Sequence, residues 1–355
     1  MTQFLNADES RSELRWNPLT RNYTIIAPSR GKRPGSFIIN EEIDAHLPHS
    51  EVCAFCTGNE EYTPPAILTL NKKNSDDWFV RVVPNKYPVL RIEGDLHRNN
   101  AGLYDVVSGI GAHEVVIESP NCSRQLADLE ISEIELTLKA WKIRLADLKR
   151  DDRFRSIMIF KNHGSLAGAT MKHSHSQIVA LPERPYHLQT ILNSAREHYS
   201  RKERCIFCDI VEFESNAQER IVVEDNYFTL LCPFASSFPF EMNLIPKKHL
   251  HDFSEIPDNE LYACAHALRD AFIRLNKTLN FPAYNLVLMT SPPPRKKLNR
   301  PDYWGSIRED FHWHFMITPR IARSAGFEWG SGVQINPVTP EEAASFLRAI
   351  VIQPE

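Results

Sequence analysis

The chain carries one ordered set of chemical landmarks twice. Cys53-Ala-Phe-Cys56 precedes short β-type runs, a long apolar stripe and then His173-Ser-His175. Cys205-Ile-Phe-Cys208 precedes the same series and then His312-Trp-His314. Two copies of one module, each with strands and a helix around its own core, account for this order. The reading sets the first module in residues 1–190 and the second in 191–355. The charged, helical stretch around 185–203 joins them.

Local patterns fill in the modules. In the first, residues 78–83 and 113–118 read as strands that end before proline. Ser132 and Glu135 have capping-box spacing, and Ile134, Leu138, Trp141, Leu145 and Leu148 recur at steps of four and three. That spacing predicts an amphipathic helix ending near Arg150. Residues 156–160 and 172–180 read as strands around a glycine-rich loop. In the second, residues 227–231, 241–245, 284–289 and 312–317 read as strands, and Leu261, Cys264, Leu268, Phe272, Leu275 and Leu279 mark a helix. Residues 23–27 and 37–39 are further β-type runs, and 291–302 a long exposed loop. The expected class is α+β, mainly antiparallel sheet with helices packed on it.

Composition narrows the function classes. Forty-one basic and 45 acidic residues give a net charge of −4, which speaks against a nucleic-acid partner. No apolar run approaches the roughly 18–20 residues that span a bilayer, so no membrane association is expected. The N-terminus lacks the basic and apolar regions of a secretory signal. Seven cysteines, an odd number, point to a reducing, cytoplasmic setting.

A Cys-x-x-Cys turn offers two thiolates to one face of a tetrahedral Zn²⁺. Matching stations of the two copies supply the remaining ligands. The first structural site is then Cys53, Cys56, Cys122 and His173, and the second Cys205, Cys208, His249 and His312. His113 and His251 are rival ligands by proximity. His173 and His175, two apart on a strand, would project from one face about 6.7 Å apart. If three thiolates and one imidazole close the first tetrahedron, the other imidazole stays free as a nucleophile toward phosphorus. The competing reading puts both on a catalytic zinc. The loop Asn162-His-Gly-Ser-Leu-Ala-Gly-Ala-Thr-Met171 directly before this pair could hold phosphate oxygens on backbone N–H groups and Thr170. Arg30 and Arg33 put two guanidiniums together for phosphate recognition.

From Trp16-Asn-Pro-Leu-Thr20 to the Glu341-Glu-Ala-Ala run, and above all over Phe160-Lys-Asn-His-Gly-Ser-Leu-Ala-Gly-Ala-Thr-Met-Lys-His-Ser-His-Ser-Gln177, the chain resembles the galactose-1-phosphate uridylyltransferases. These form a duplicated branch of the histidine-triad superfamily. The resemblance implies that His175 carries a nucleotidyl group and His173 binds zinc. It sets Gln177 where the hydrolase branches have a third histidine. Asn162, Gly168 and Thr170 match phosphate-binding positions, Arg30 and Arg33 an N-terminal arginine pair, and Asn85 a nucleotide contact. Phe327, Glu328 and Asn336 fall in a segment that reaches the sugar across a dimer interface in the family. His-Ser-His-Ser-Gln and the second Cys pair make the chain similar to the ADP-glucose phosphorylase branch.

The implied activity is ping-pong transfer of UMP or AMP between a nucleotide sugar and a hexose 1-phosphate, by a homodimer. The alternatives are an ADP-sugar phosphorylase that uses orthophosphate, a histidine-triad hydrolase, a metal-dependent hydrolase and a zinc-ribbon nucleic-acid binder.

Overall fold

The computed structural model describes residues 11–32, 53–293 and 305–352. Its strands are β1 (Glu13–Asn17), β2 (Asn22–Ile26), β3 (Leu68–Asn71), β4 (Trp78–Pro84), β5 (Arg98–Ala101), β6 (Tyr104–Val107), β7 (Ala112–Ile117), β8 (Ser156–His163) and β9 (His175–Leu181). β10 (Ile221–Glu224), β11 (Phe228–Leu231), β12 (Met242–Pro246), β13 (Tyr284–Met289), β14 (His314–Pro319) and β15 (Gln334–Asn336) follow. The helices are α1 (Ile131–Leu148), α2 (Tyr186–Lys202), α3 (Ile206–Ala217), α4 (Asp258–Leu279), α5 (Ile307–Asp310), α6 (Gly326–Ser331) and α7 (Pro340–Arg348).

Ten strands form one continuous sheet in the order β10-β11-β12-β14-β13-β8-β9-β7-β4-β3. Every neighbouring pair is antiparallel. Read outward from the middle, β8-β9-β7-β4-β3 has the same connectivity as β13-β14-β12-β11-β10. The duplicated sequence order is thus a duplicated topology of the expected α+β class. The halves meet where β8 pairs with β13, with Phe160 opposite Val287.

One face of the sheet is covered by α1 and α4. Ile134, Leu138, Trp141 and Leu145 of α1 meet Leu261, Leu268, Phe272 and Leu275 of α4, together with Val80, Val82, Trp313 and Phe315 from the strands. Each such side chain, fully buried, stabilises the fold by roughly 1.5–3 kcal/mol. The period of two along β9 then divides labour between the faces. Ser176 points to the helices and accepts the Trp141 indole N–H at 2.9 Å. His175 and Gln177 are left on the opposite face.

The boundaries differ from expectation in physically simple ways. α1 starts at Ile131, where the Glu133 carboxylate accepts the Glu130 N–H at 2.8 Å. The working capping box is therefore two residues earlier than Ser132/Glu135. β9 and β14 begin at His175 and His314, so His173 and His312 stand just before their strands and are free to turn toward the cysteines. The second Cys pair sits on the first turn of α3, with Cys205 as its N-cap. The first sits on a tight turn closed by Cys56 N–H to Cys53 O at 3.1 Å.

β1, β2 and β15 form a separate sheet in which β2 and β15 are parallel. It packs on the second half of the molecule. Thr24 Oγ1 donates to Ala235 O at 3.1 Å, and Arg15 pairs with Glu341 at 2.8 Å. Residues 13–26 therefore lie with the second half rather than the first, and position 190 falls inside α2. Residues 37–39 lie outside the described residues, as does most of 291–302. Among the described residues no helix is long and apolar enough to cross a membrane.

Candidate active site

Both Cys-x-x-Cys pairs gather histidines. Cys205, Cys208, His249 and His312 bring their ligand atoms within 4.8 Å of one another, and so do Cys53, Cys56 and His173. Either group could hold a metal ion. Carbonyl groups set the histidine tautomers. His173 Nε2 donates to Ser119 O at 2.7 Å, which leaves its Nδ1 lone pair facing Cys53 Sγ at 3.3 Å and Cys56 Sγ at 3.6 Å. His249 Nε2 likewise donates to Arg308 O at 2.8 Å and turns Nδ1 to Cys208 Sγ at 3.3 Å. A backbone acceptor on the far ring nitrogen is the usual support of a ligating imidazole. Cys122 lies against Cys56 but falls outside the compact group. Burial, and then the crowding of Cys122 and Cys53, pushes the Cys56 thiol up to about 12. Thiols this crowded, with imidazole lone pairs aimed at them, are a soft donor set suited to a tetrahedral divalent ion.

The rival ligands go elsewhere. His113 faces Gln177, and His251 joins Asp252 and Glu255. Asp252 is already engaged by Lys149 at 2.6 Å.

His175 is separate from the metal group. Its Nδ1 donates to His173 O at 2.8 Å. The ring is therefore the tautomer with an open Nε2, and burial lowers its pKa, so it is neutral. It lines a cavity of about 560 Å³ together with Gln177, Thr170, Asn85, Phe55 and Tyr87. Phe55 packs edge-on against both imidazoles, with centroids 5.8 Å from His173 and 5.6 Å from His175. A neutral, oriented imidazole at the wall of a cavity can act as a nucleophile.

The loop before it is braced from both halves. Gly168 has φ +85°, a left-handed conformation that glycine adopts freely. Asn285 of β13 donates from Nδ2 to Asn162 Oδ1 at 2.7 Å and to Ala167 O at 2.9 Å. Asn162 and Gly168 thus shape the loop without lining the cavity, while Thr170 reaches it.

Beneath the His173–His175 segment lies a buried polar cluster that sequence reading did not single out. Lys161 Nζ donates to Glu118 Oε2 and to Ser174 Oγ, and Ser174 Oγ to the same carboxylate oxygen at 2.8 Å. Lys161 also reaches His175 O at 3.2 Å. The sequence signal for it is slight: a charged residue at the end of each of two apolar runs, Glu118 and Lys161.

Residues 2–185, more than half of the chain, match the family described as galactose-1-phosphate uridyl transferase, N-terminal domain. The chain belongs to the galactose-1-phosphate uridylyltransferase family. It is 32% identical over 347 residues to ADP-glucose phosphorylase of Arabidopsis thaliana, covering 97% of this chain and 95% of that one. It is 28% identical over 350 residues to galactose-1-phosphate uridylyltransferase of Thermotoga maritima, covering 96% and 99%. The crystal structure of the Arabidopsis ADP-glucose phosphorylase with bound ADP-glucose is similar at a TM-score of 0.80 and 31% identity, covering 97% and 100%. The chain is accordingly a nucleotidyltransferase of the uridylyltransferase type.

In this uridylyltransferase-family enzyme the two halves have diverged chemically. His314 repeats the geometry of His175, with Nδ1 donating to His312 O at 3.1 Å and burial pushing its pKa down to about 4. It too lines a cavity, of about 600 Å³. Yet β14 carries Met316 where β9 carries Gln177, so the position two residues after this imidazole offers no amide.

Several expected substrate contacts of the uridylyltransferase pattern lie away from the His175 cavity. Arg30, Phe327 and Glu328 do not line it, and Glu328 caps its own helix through Ala325 N at 2.8 Å. Asn336 is 1% exposed. Its carboxamide is spent on Ser236 O, Phe238 O and Val338 N. Within the single chain, Asn336 serves the fold. Arg33 lies outside the described residues.

Proposed function

We propose that the enzyme moves UMP or AMP between a nucleotide sugar and a hexose 1-phosphate through a nucleotidyl-His175 intermediate. The observation that carries this reading is the orientation of the His175 ring, with Nδ1 held by His173 O and the ring at the cavity wall. Nε2 attacks the α-phosphorus, the bond from phosphorus to the bridging oxygen breaks, and sugar 1-phosphate leaves. The His173 carbonyl stabilises the charge that develops on the ring. The phosphate of the acceptor then attacks and returns Nε2 to its starting state. Thr170 Oγ1 and the Gln177 amide donate to the non-bridging oxygens, where charge grows in the transition state. A carboxamide is a poor proton relay, so Gln177 favours phosphorylated acceptors over water.

A second reading, an ADP-sugar phosphorylase with orthophosphate as acceptor, is favoured by the likeness to the Arabidopsis ADP-glucose phosphorylase. Zinc would be held by Cys205, Cys208, His249 and His312, and by Cys53, Cys56 and His173 with Cys122 as fourth ligand. Bound there, it would supply cross-links that keep His173, and hence His175, in place. Because Arg30, Phe327 and Glu328 stand away from His175, a homodimer is the arrangement in which a second copy brings them to the sugar and phosphates. Seven cysteines with no disulfide among them suit a cytoplasmic enzyme.

Incubation with UDP-glucose or ADP-glucose without acceptor, followed by intact-mass and peptide analysis, tests the reading. The expected result is one nucleotidyl group on His175, absent in His175→Ala, with the increment naming the base. Release by galactose 1-phosphate or by orthophosphate names the acceptor. Turnover without any adduct on His175 overturns it.

A further inference from the structure

We infer that His113 is a positioning residue that locks the Gln177 carboxamide with its NH2 group toward the substrate phosphate. This rests on the reading of Gln177 given above and adds a residue to it.

The tautomer of His113 follows from its surroundings. The Val89 N–H donates to Nδ1 at 3.1 Å, so Nδ1 is an acceptor and a neutral ring carries its proton on Nε2. That N–H lies 2.7 Å from Gln177 Oε1. The amide oxygen of Gln177 is therefore taken, and its NH2 is turned the other way. The ring has little freedom to let go. The His113 carbonyl accepts Asn85 N–H at 2.8 Å, and His113 pairs with Val179 in the sheet. Asn85 Nδ2 also lies 3.1 Å from Nε2, but both carry hydrogen, so this contact adds no bond and the Nε2 proton goes to Gln177; the Asn85 Oδ1 accepts from Tyr87 N–H at 2.9 Å. Both cavity amides thus spend their oxygens on the protein and keep N–H donors over.

An unpinned glutamine can flip about its last torsion and present oxygen to the phosphate, where it repels. It can also leave for other rotamers. Pinning costs the transition state nothing, because the orientation is fixed before substrate arrives. The lock also depends on residues 85–89 being in place, since Val89 sets the tautomer. Occupation of the nucleotide end of the cavity and readiness of the phosphate donor are linked through one imidazole.

The test is a double-mutant cycle read in single-turnover formation of the His175 adduct from ADP-glucose and UDP-glucose. Gln177→Ala is expected to slow adduct formation on the order of 10²-fold, the scale for one oxyanion-directed donor. His113→Asn keeps an acceptor for Val89 and loses reach to Gln177. It is expected to slow the step about tenfold, with nucleotide-sugar affinity changed by no more than about twofold. The double variant should be no slower than Gln177→Ala alone. His113→Gln, which restores an amide N–H near the Nε2 position, should recover most of the rate. Multiplying effects in the double variant, an unchanged rate in His113→Asn, or equal loss in His113→Gln would each overturn the inference. No adduct in the wild-type protein would instead sink the His175 reading, and this one with it.

Discussion

Lys161 Nζ lies 2.7 Å from Glu118 Oε2, and both side chains are at most 1% exposed. The pair sits under the backbone that carries His173 and His175. Removing one partner strands the other charge in the core. Lys161→Met should cost about 3–5 kcal/mol, read by urea unfolding. Lys161→Met combined with Glu118→Leu should be the more stable of the two, since no unpaired charge remains. If the double variant were the worse, the pair would owe little to charge.

Metal analysis of the purified protein should find two zinc ions per chain. Cys208→Ala should lose one and Cys53→Ala the other, each with a lower melting temperature. His175→Ala should keep both, because its ring hydrogen-bonds to His173 O rather than facing the thiols. Loss of zinc in His175→Ala would place that ring among the ligands.

Stability should depend on pH through Glu241. Burial raises its carboxyl from the ordinary 4.5 to about 7, although Ser237 and Phe238 N–H groups donate to it. The folded chain keeps this proton while the unfolded chain releases it. The contribution is full below about pH 4.5 and is lost as pH rises to about 7. Glu241→Gln keeps an acceptor oxygen and never ionises. It should gain on the wild type across that window, by up to about 3 kcal/mol at roughly 1.4 kcal/mol per unit. Paired denaturation curves at pH 5, 6, 7 and 8 measure this, and a constant difference would refute it.

Gly168→Ala should destabilise by about 1–2 kcal/mol. A Cβ there meets only Asn162 Nδ2 at 3.8 Å, so the cost is the left-handed backbone and not a clash. Gly168→Asn should therefore be milder, since asparagine tolerates that conformation. Equal melting temperatures for glycine and alanine would contradict the argument.

The landmarks that sequence reading used are local ones. A Cys-x-x-Cys, a His-x-His and a glycine loop keep their meaning within a few residues, and their repetition exposed the duplicated topology. What stayed hidden depends on contacts between distant segments. β2 pairs with β15 across some three hundred positions, which carried residues 13–26 to the second half. The family resemblance sets Asn336 in a segment that reaches the sugar, and nothing local shows that its amide donates to Ser236 O and Phe238 O, a hundred positions away. Proximity in sequence makes His113 a rival metal ligand, because it says nothing of Val89 or Gln177. The capping frame of α1 was ambiguous because two acid-containing frames overlap, and only the backbone of Glu130 chooses between them.

The ladder between β8 and β13 has a consequence for the integrity of the polypeptide. A chain truncated after β9 would leave unpaired the β8 amides and carbonyls that face β13, an adhesive edge that invites aggregation. Neither half is then expected to stay soluble alone. Once zipped together, they are expected to melt in a single transition and to be inherited as one gene product.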